Sequence, residues 1–410
     1  MSNLSNIIPS RQLQGVRYEI RGRLGHRAHE MELEGHEILS LNIGNPGLFG
    51  LRTPESMRLA MIENLEASEA YCPQRGVFPA REAVVMQQQE RGIMDVRAEN
   101  VFIGNGVSEL IDLSLRALLN PGDEVLIPSP DYPLWTAATL LNGGKAIHYP
   151  CPEKNNFAPD ISELERLITK KTRALVVINP NNPTGAVYSQ ECLAGLVKLS
   201  AKYGLILFSD EIYDQMVYDD AQFIPLATLC GDNLCATFSG LSKVYRACGY
   251  RVGWVSFSGA LEQSKDYLAA LDLLAALRLC SNVPGQWAVQ AALGGHQSIK
   301  QLCGPGGRLY ESRSTIIEEV EKSPYLYLKK PRGAMYAFLG VNTKLLKGFD
   351  DEAFALDFLE QEHVLVAPGS SFNTQYRDHF RITILPDVET LVEVFKRMEC
   401  IFENFIPQKL

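Results

Sequence analysis

The stretch Ala174-Leu-Val-Val-Ile-Asn-Pro-Asn-Asn-Pro-Thr-Gly185, then Ser189–Tyr203, then Leu205-Ile-Leu-Phe-Ser-Asp210, decides the fold class. Ala174–Ile178 and Leu205–Phe208 are short and apolar at successive positions, as in strands covered on both faces. Between them the apolar positions return at helical spacing. Outward from this unit the same rhythm recurs in the strand-like runs Val101–Ile103, Glu124–Ile127, Ala236–Phe238 and Gly253–Phe257. Helical patterns occupy Ser108–Leu119 and Leu261–Leu279. Strand and helix in alternation predict an α/β domain of three layers with a mostly parallel sheet.

The pattern shifts beyond about Gly304, where Gly304-Pro-Gly-Gly307 is expected to mark a hinge. A long helix (Arg308–Glu321), Met335–Leu339, a helix over Asp351–Gln361, Val364–Val366, Phe380–Ile384 and a last helix to Phe402 predict a smaller α+β domain. Near the start, helical spacing runs from about Tyr18 to Leu39. The expected division is an arm over 1–17, a segment over 18–50 that joins the small domain, a large domain over 51–303 and a small one over 304–410.

Composition narrows the function classes. Apolar residues at 46% and charged residues at 21% are those of a globular enzyme, and a net charge of −9 argues against a nucleic-acid-binding surface. No apolar run reaches the length of a membrane span, and the first residues lack the basic-then-apolar order of a signal peptide. The nine cysteines include no Cys-x-x-Cys and no histidine at metal spacing. A reduced, cytoplasmic setting and no metal are expected.

In open parallel sheets ligands bind at the carboxyl ends of the strands, and the polar residues of interest fall there. Lys243 follows Cys235–Phe238 among Ser239, Gly240 and Ser242. An ammonium leaves water at a cost, which makes sense if the amine is consumed as an imine to a carbonyl cofactor. Arg251, eight residues on, has the planar fork that grips phosphate. An imine-forming lysine beside a phosphate-gripping arginine points to pyridoxal 5'-phosphate. Asp210 either caps the next helix or keeps that cofactor's ring nitrogen protonated, and Tyr213 stands three residues on. In Asn179-Pro-Asn-Asn182-Pro-Thr-Gly185, two Asn-Pro steps make a rigid turn that is either structural or aims the Asn182 amide. Gly104-Asn-Gly106-Val107-Ser108 opens a helix whose N–H groups suit a phosphate, an N-cap being the alternative. Tyr132, on a proline-fixed loop, either stacks on a flat ring or fills core.

Together these residues resemble the class-I aminotransferases of the fold-type-I pyridoxal-phosphate family, over essentially the whole chain. The resemblance implies Lys243 as the imine-forming lysine, Asp210 on the ring nitrogen, and Tyr213 and Asn182 on the phenolic oxygen. It implies Arg251, Ser108, Gly106 and Val107 on the phosphate and Tyr132 as the stacking ring. Tyr71, in Ala-Tyr-Cys-Pro-Gln-Arg-Gly76, matches a tyrosine lent to a neighbouring subunit, which implies a homodimer with shared sites. Arg381 matches the arginine for the substrate α-carboxylate, and Gly44 the loop that closes on it. Two positions depart from the family: Gly240 stands where serine is frequent, leaving Ser242 or Ser239 to replace that hydroxyl, and Arg246 stands where a small residue is usual.

Three runs are similar to those of alanine aminotransferases: Tyr18-Glu-Ile-Arg21-Gly, Arg278–Gln286 and Pro331–Tyr336. By that resemblance Tyr18 and Arg21 lie over the substrate side chain, Arg21 either offering charge to a distal carboxylate or making an ordinary ion pair. The expected reaction exchanges an amino group between alanine and 2-oxoglutarate. The alternatives are another aminotransferase specificity, a β-lyase on the same scaffold, or a non-catalytic regulator, which would need a DNA-binding module for which the chain has no basic domain.

Overall fold

The computed structural model describes residues 7–13, 15–16 and 22–405. Its main sheet has seven strands in the order Val101–Gly104, Gly253–Ser258, Cys235–Gly240, Ile206–Asp210, Thr172–Ile178, Glu124–Ser129, Lys145–Pro150. Only Gly253–Ser258 runs against its two neighbours; the other pairings are parallel.

Side chains alternate across this sheet, as the two-residue period of a strand requires. Val176, Ile178, Phe208 and Phe257 pack under helices Val107–Leu118 and Lys265–Leu277. Leu175, Val177 and Leu207 point the other way, onto helix Gln190–Tyr203. Both faces are therefore dry, which is why the strands read as continuous apolar runs. Helix Gln190–Tyr203 begins where the Ser189 hydroxyl accepts from the Cys192 N–H and ends at Gly204, whose φ of 64° lets the chain turn back.

A second sheet is antiparallel, in the order Ala367–Pro368, His379–Thr383, Tyr336–Val341, Leu326–Leu328. The expected single strand Val364–Val366 is split: Val364–Leu365 instead pairs in parallel with Leu39–Ser40. Within the described residues the helical reading of Tyr18–Leu39 holds over Arg23–Leu33, and the chain then leaves the helix to make that pairing. The helix read as Leu261–Leu279 is shorter, Lys265–Leu277. Among the described residues no helix is long and apolar enough to cross a membrane.

Candidate active site

The carboxyl edge of the main sheet opens into a cavity of about 640 Å³. Four parallel strands each deliver a predicted residue to it: Tyr132 after Glu124–Ser129, Asn182 after Thr172–Ile178, Asp210 at the end of Ile206–Asp210, and Lys243 after Cys235–Gly240. Tyr213 and Ser242 reach the same space from the loops beyond. The reversed strand has its amino end on this edge, so Arg251, just before it, lies beside Val107 and Ser108. Gly44 enters from the N-terminal segment and Arg381 from the antiparallel sheet. A second cavity, about 730 Å³ and lined in part by Arg91 and Tyr245, holds none of the predicted residues.

Asp210 is buried, and its Oδ2 accepts from the Trp135 indole N–H at 3.0 Å. Burial raises its carboxyl pKa to about 6, against the pull of that hydrogen bond. Lys243 Nζ donates to the Gly44 carbonyl at 2.7 Å and has the Cys248 thiol 4.0 Å away. Arg381 donates from Nη1 to Asn182 Oδ1 at 2.7 Å and from Nη2 to the Asn42 carbonyl. Its guanidinium lies against the rings of Tyr336 and Phe372, 4.1 and 4.7 Å from their centroids. The Tyr213 and Tyr336 hydroxyls meet at 3.3 Å.

At the other end of the cavity, Gly106 precedes the first turn of helix Val107–Leu118, with φ 80° and no side-chain cap. A Cβ there would overlap the Arg251 guanidinium. Arg251 donates to the carbonyls of Cys248 at 2.9 Å and Asn105 at 3.4 Å, which holds its fork beside the helix start. Backbone N–H groups, a serine hydroxyl and a guanidinium converge here, a donor set suited to a phosphate.

Some predicted residues lie elsewhere. Tyr71 is 77% exposed and does not line the cavity. Tyr18 and Arg21 lie outside the described residues. Arg246 faces neither cavity nor solvent: it is buried at φ 57°, bonding the carbonyls of Arg52 at 3.0 Å and Val244 at 2.7 Å and the Ser298 hydroxyl at 2.7 Å. A Cβ on Gly240 would press on the Val252 carbonyl at 2.8 Å, so a serine has no room there, and Ser242 is the hydroxyl that reaches the cavity. Arg278 pairs with Glu109 at 3.3 Å, away from the cavity. Sequence reasoning passed over Trp135, Tyr336 and Cys248, although Trp135 follows Tyr132 at a spacing of three and Tyr336 ends the Pro331 run.

The family model for aminotransferases of class I and II matches residues 36–397. The chain belongs to that family. Among its relatives, this aminotransferase is 47% identical over 397 residues to the glutamate-pyruvate aminotransferase AlaA of Escherichia coli, covering 96% of this chain and 98% of that one. It is 48% identical over 390 residues to the alanine aminotransferase of Mycobacterium tuberculosis, covering 95% and 91%. A crystal structure of an Escherichia coli aminotransferase superposes with a TM-score of 0.97 at 46% identity, over 99% of this chain and 100% of that one. An alanine aminotransferase from Pyrococcus furiosus superposes at 0.90 and 34% identity, over 97% and 100%. The family implies pyridoxal 5'-phosphate. The cavity of this aminotransferase fits it: among the described residues a buried carboxylate has no cation partner at one end, and a side-chain-free cradle faces a guanidinium at the other.

Proposed function

We propose that this aminotransferase exchanges an amino group between alanine and 2-oxoglutarate, giving pyruvate and glutamate in a ping-pong cycle. The observation that carries the chemistry is one cavity lined by Lys243, Asp210 and Arg381. The two near-full-length relatives, at 47% and 48% identity, support the choice of substrate pair.

Pyridoxal phosphate, when bound, supplies an electrophilic carbonyl and a ring that accepts the electron pair left at the substrate Cα. The Lys243 amine would hold that carbonyl, and its Nζ, when free, would take the proton from the substrate Cα and give it back, acting as base and then acid. Asp210 would hold the cofactor's ring nitrogen in its protonated form, and that cation would offset the cost of burying the carboxylate. Asn182 uses Oδ1 on Arg381, which leaves its Nδ2 to donate to the phenolic oxygen, with Tyr213 as the second donor there. Arg251, Ser108, Ser242 and the N–H groups of Gly106 and Val107 hold the phosphate, and Tyr132 covers the ring. Arg381 receives the α-carboxylate, and the Gly44 loop closes over it. Anchoring at both ends fixes the direction of the Cα–H bond, which is catalysis by orientation.

The segment 18–50 moves with the small domain in this reading, as the pairing of Leu39–Ser40 with Val364–Leu365 supports. A homodimer completes the site through Tyr71 of the neighbouring subunit. Exposure of Tyr71 supports this, as does that of Leu273 and Leu277 on a helix tied to the Tyr71 loop by Arg75–Asp272 at 2.6 Å. The cytoplasm is the proposed compartment. The family resemblance gives Tyr18 and Arg21 a role toward the substrate side chain, and Arg21→Ala raises the glutamate KM if Arg21 meets the distal carboxylate.

The deciding experiment is a stopped-flow half-reaction screen that follows cofactor absorbance with each amino acid alone. Alanine and glutamate are expected to be the fastest donors. If both are slow, the substrate assignment falls. Ammonia release without transfer would favour the β-lyase instead.

A further inference from the structure

Tyr336 opens the strand Tyr336–Val341 and is 3% exposed, at the point where both sheets and the N-terminal segment meet. Its ring lies against the Arg381 guanidinium, 4.1 Å from Cζ to centroid, and the Phe372 ring lies 4.7 Å from the same carbon. A cation held against an aromatic face in a dry site is worth about tenfold in binding. The hydroxyl does separate work. It meets the Tyr213 hydroxyl at 3.3 Å, and it packs so closely on Gly44 that a Cβ there would overlap it. Gly44 is the residue whose carbonyl accepts from Lys243 Nζ at 2.7 Å. Burial raises the Tyr336 pKa, but the Lys243 ammonium and the Arg381 guanidinium outweigh it, so the group lies below the ordinary tyrosine value. Tyr213 goes the other way, because burial dominates there.

We propose that Tyr336 is a positioning residue that joins carboxylate capture to proton transfer: its ring seats Arg381, and its hydroxyl sets both Tyr213 and the Gly44–Lys243 contact. This rests on the aminotransferase reading, in which Arg381 meets the α-carboxylate and Lys243 moves the proton. A side chain that does two jobs with two parts predicts that the parts can be separated.

The test compares Tyr336→Phe, Tyr336→Leu and Arg381→Leu in the holoenzyme. Tyr336→Phe keeps the ring: KM for alanine and 2-oxoglutarate is expected to stay within about twofold while kcat falls about tenfold. Tyr336→Leu loses both parts, and KM for both substrates is expected to rise about tenfold as well. An unreactive dicarboxylate, read by its thermal shift of the protein, should lose about tenfold in affinity with Tyr336→Leu and none with Tyr336→Phe. Equal KM and kcat in the two tyrosine variants, or a lower Tm with unchanged kinetics, overturns the inference. Arg381→Leu separates the two levels. If it raises KM and Tyr336→Leu does not, only the role of Tyr336 is lost. If it leaves KM unchanged, the reading beneath it fails.

Discussion

Trp135 donates its indole N–H to the Asp210 carboxylate at 3.0 Å from within the core of the main sheet. The indole is wholly buried, stacked on Phe208 at 5.7 Å and edge-on to Phe238 at 5.3 Å, so the donor cannot turn away. Burial raises the Asp210 pKa, and this bond is the strongest pull in the other direction. A tryptophan of the core thus sets how readily an acid lining the cavity ionises.

Replacing Trp135 with Phe keeps the packing surface and removes the donor. A hydrogen bond to a charged group is worth about 1.5–3 kcal/mol, so the Asp210 midpoint is expected to rise by roughly one pH unit or more. If the cofactor's ring nitrogen pairs with the ionised form, as proposed, affinity at pH 7 falls about two- to fifteenfold and recovers toward pH 9. Cofactor titration of the apoprotein across that range checks it.

Asp210→Asn is expected to move apoprotein stability and activity in opposite directions. The folded carboxyl titrates at about 6, above its ordinary value of 3.8. Between those values the folded chain holds a proton that the unfolded chain has released. This contribution is full at pH 3.8 and below, and is lost as pH rises through about 6. At pH 8 the apoprotein variant, freed of a buried charge, should gain up to about 3 kcal/mol over wild type, with no gain at pH 4. Its holoenzyme should lose at least about a hundredfold in kcat. Denaturant melts at the two pH values and steady-state rates read both effects.

Gly106→Ala puts a side chain at φ 80° and into the Arg251 guanidinium. The strained backbone alone costs about 1–2 kcal/mol, and the displaced arginine adds to it. Cofactor affinity should fall more than about tenfold, while kcat at saturating cofactor changes little. Titrating the apoprotein with cofactor and with inorganic phosphate shows whether the loss is at the phosphate end.

Arg246→Ala should do the reverse. It breaks three hydrogen bonds inside a buried junction and touches nothing in the cavity. A loss of about 2–4 kcal/mol in stability is expected, with cofactor affinity and KM unchanged. A fall in cofactor affinity at temperatures where the variant is folded would place Arg246 in the site after all.

Much of the cavity was legible because a polar residue after an apolar run needs a partner, and Asp210, Asn182 and Lys243 stand out that way, whereas Arg381 was legible only through the family resemblance. Trp135 did not, since an indole among apolar neighbours reads as packing and its N–H partner lies 75 positions away. Tyr336 was visible only as part of a run, because its contacts come from three separate segments. Arg246 was ambiguous for a related reason: its direction depends on a positive φ and on Arg52 and Ser298. The reversal of Gly253–Ser258 was equally hidden, since an apolar strand carries no mark of its direction. The pairing of Leu39–Ser40 with Val364–Leu365 joins residues more than 300 apart, beyond the reach of local pattern.

That reversed strand also orders events in time. Among the described residues Val101–Gly104 pairs with no strand except Gly253–Ser258, so the strand leading to the helix start at Gly106 joins the main sheet only after some 150 further residues have been made. Arg251 arrives with the same strand. A nascent chain ending before it has most of the main sheet but lacks the arginine proposed to grip the phosphate, so full cofactor affinity is expected only after synthesis has passed this point. Appearance of cofactor absorbance during refolding is therefore expected to follow the insertion of that strand.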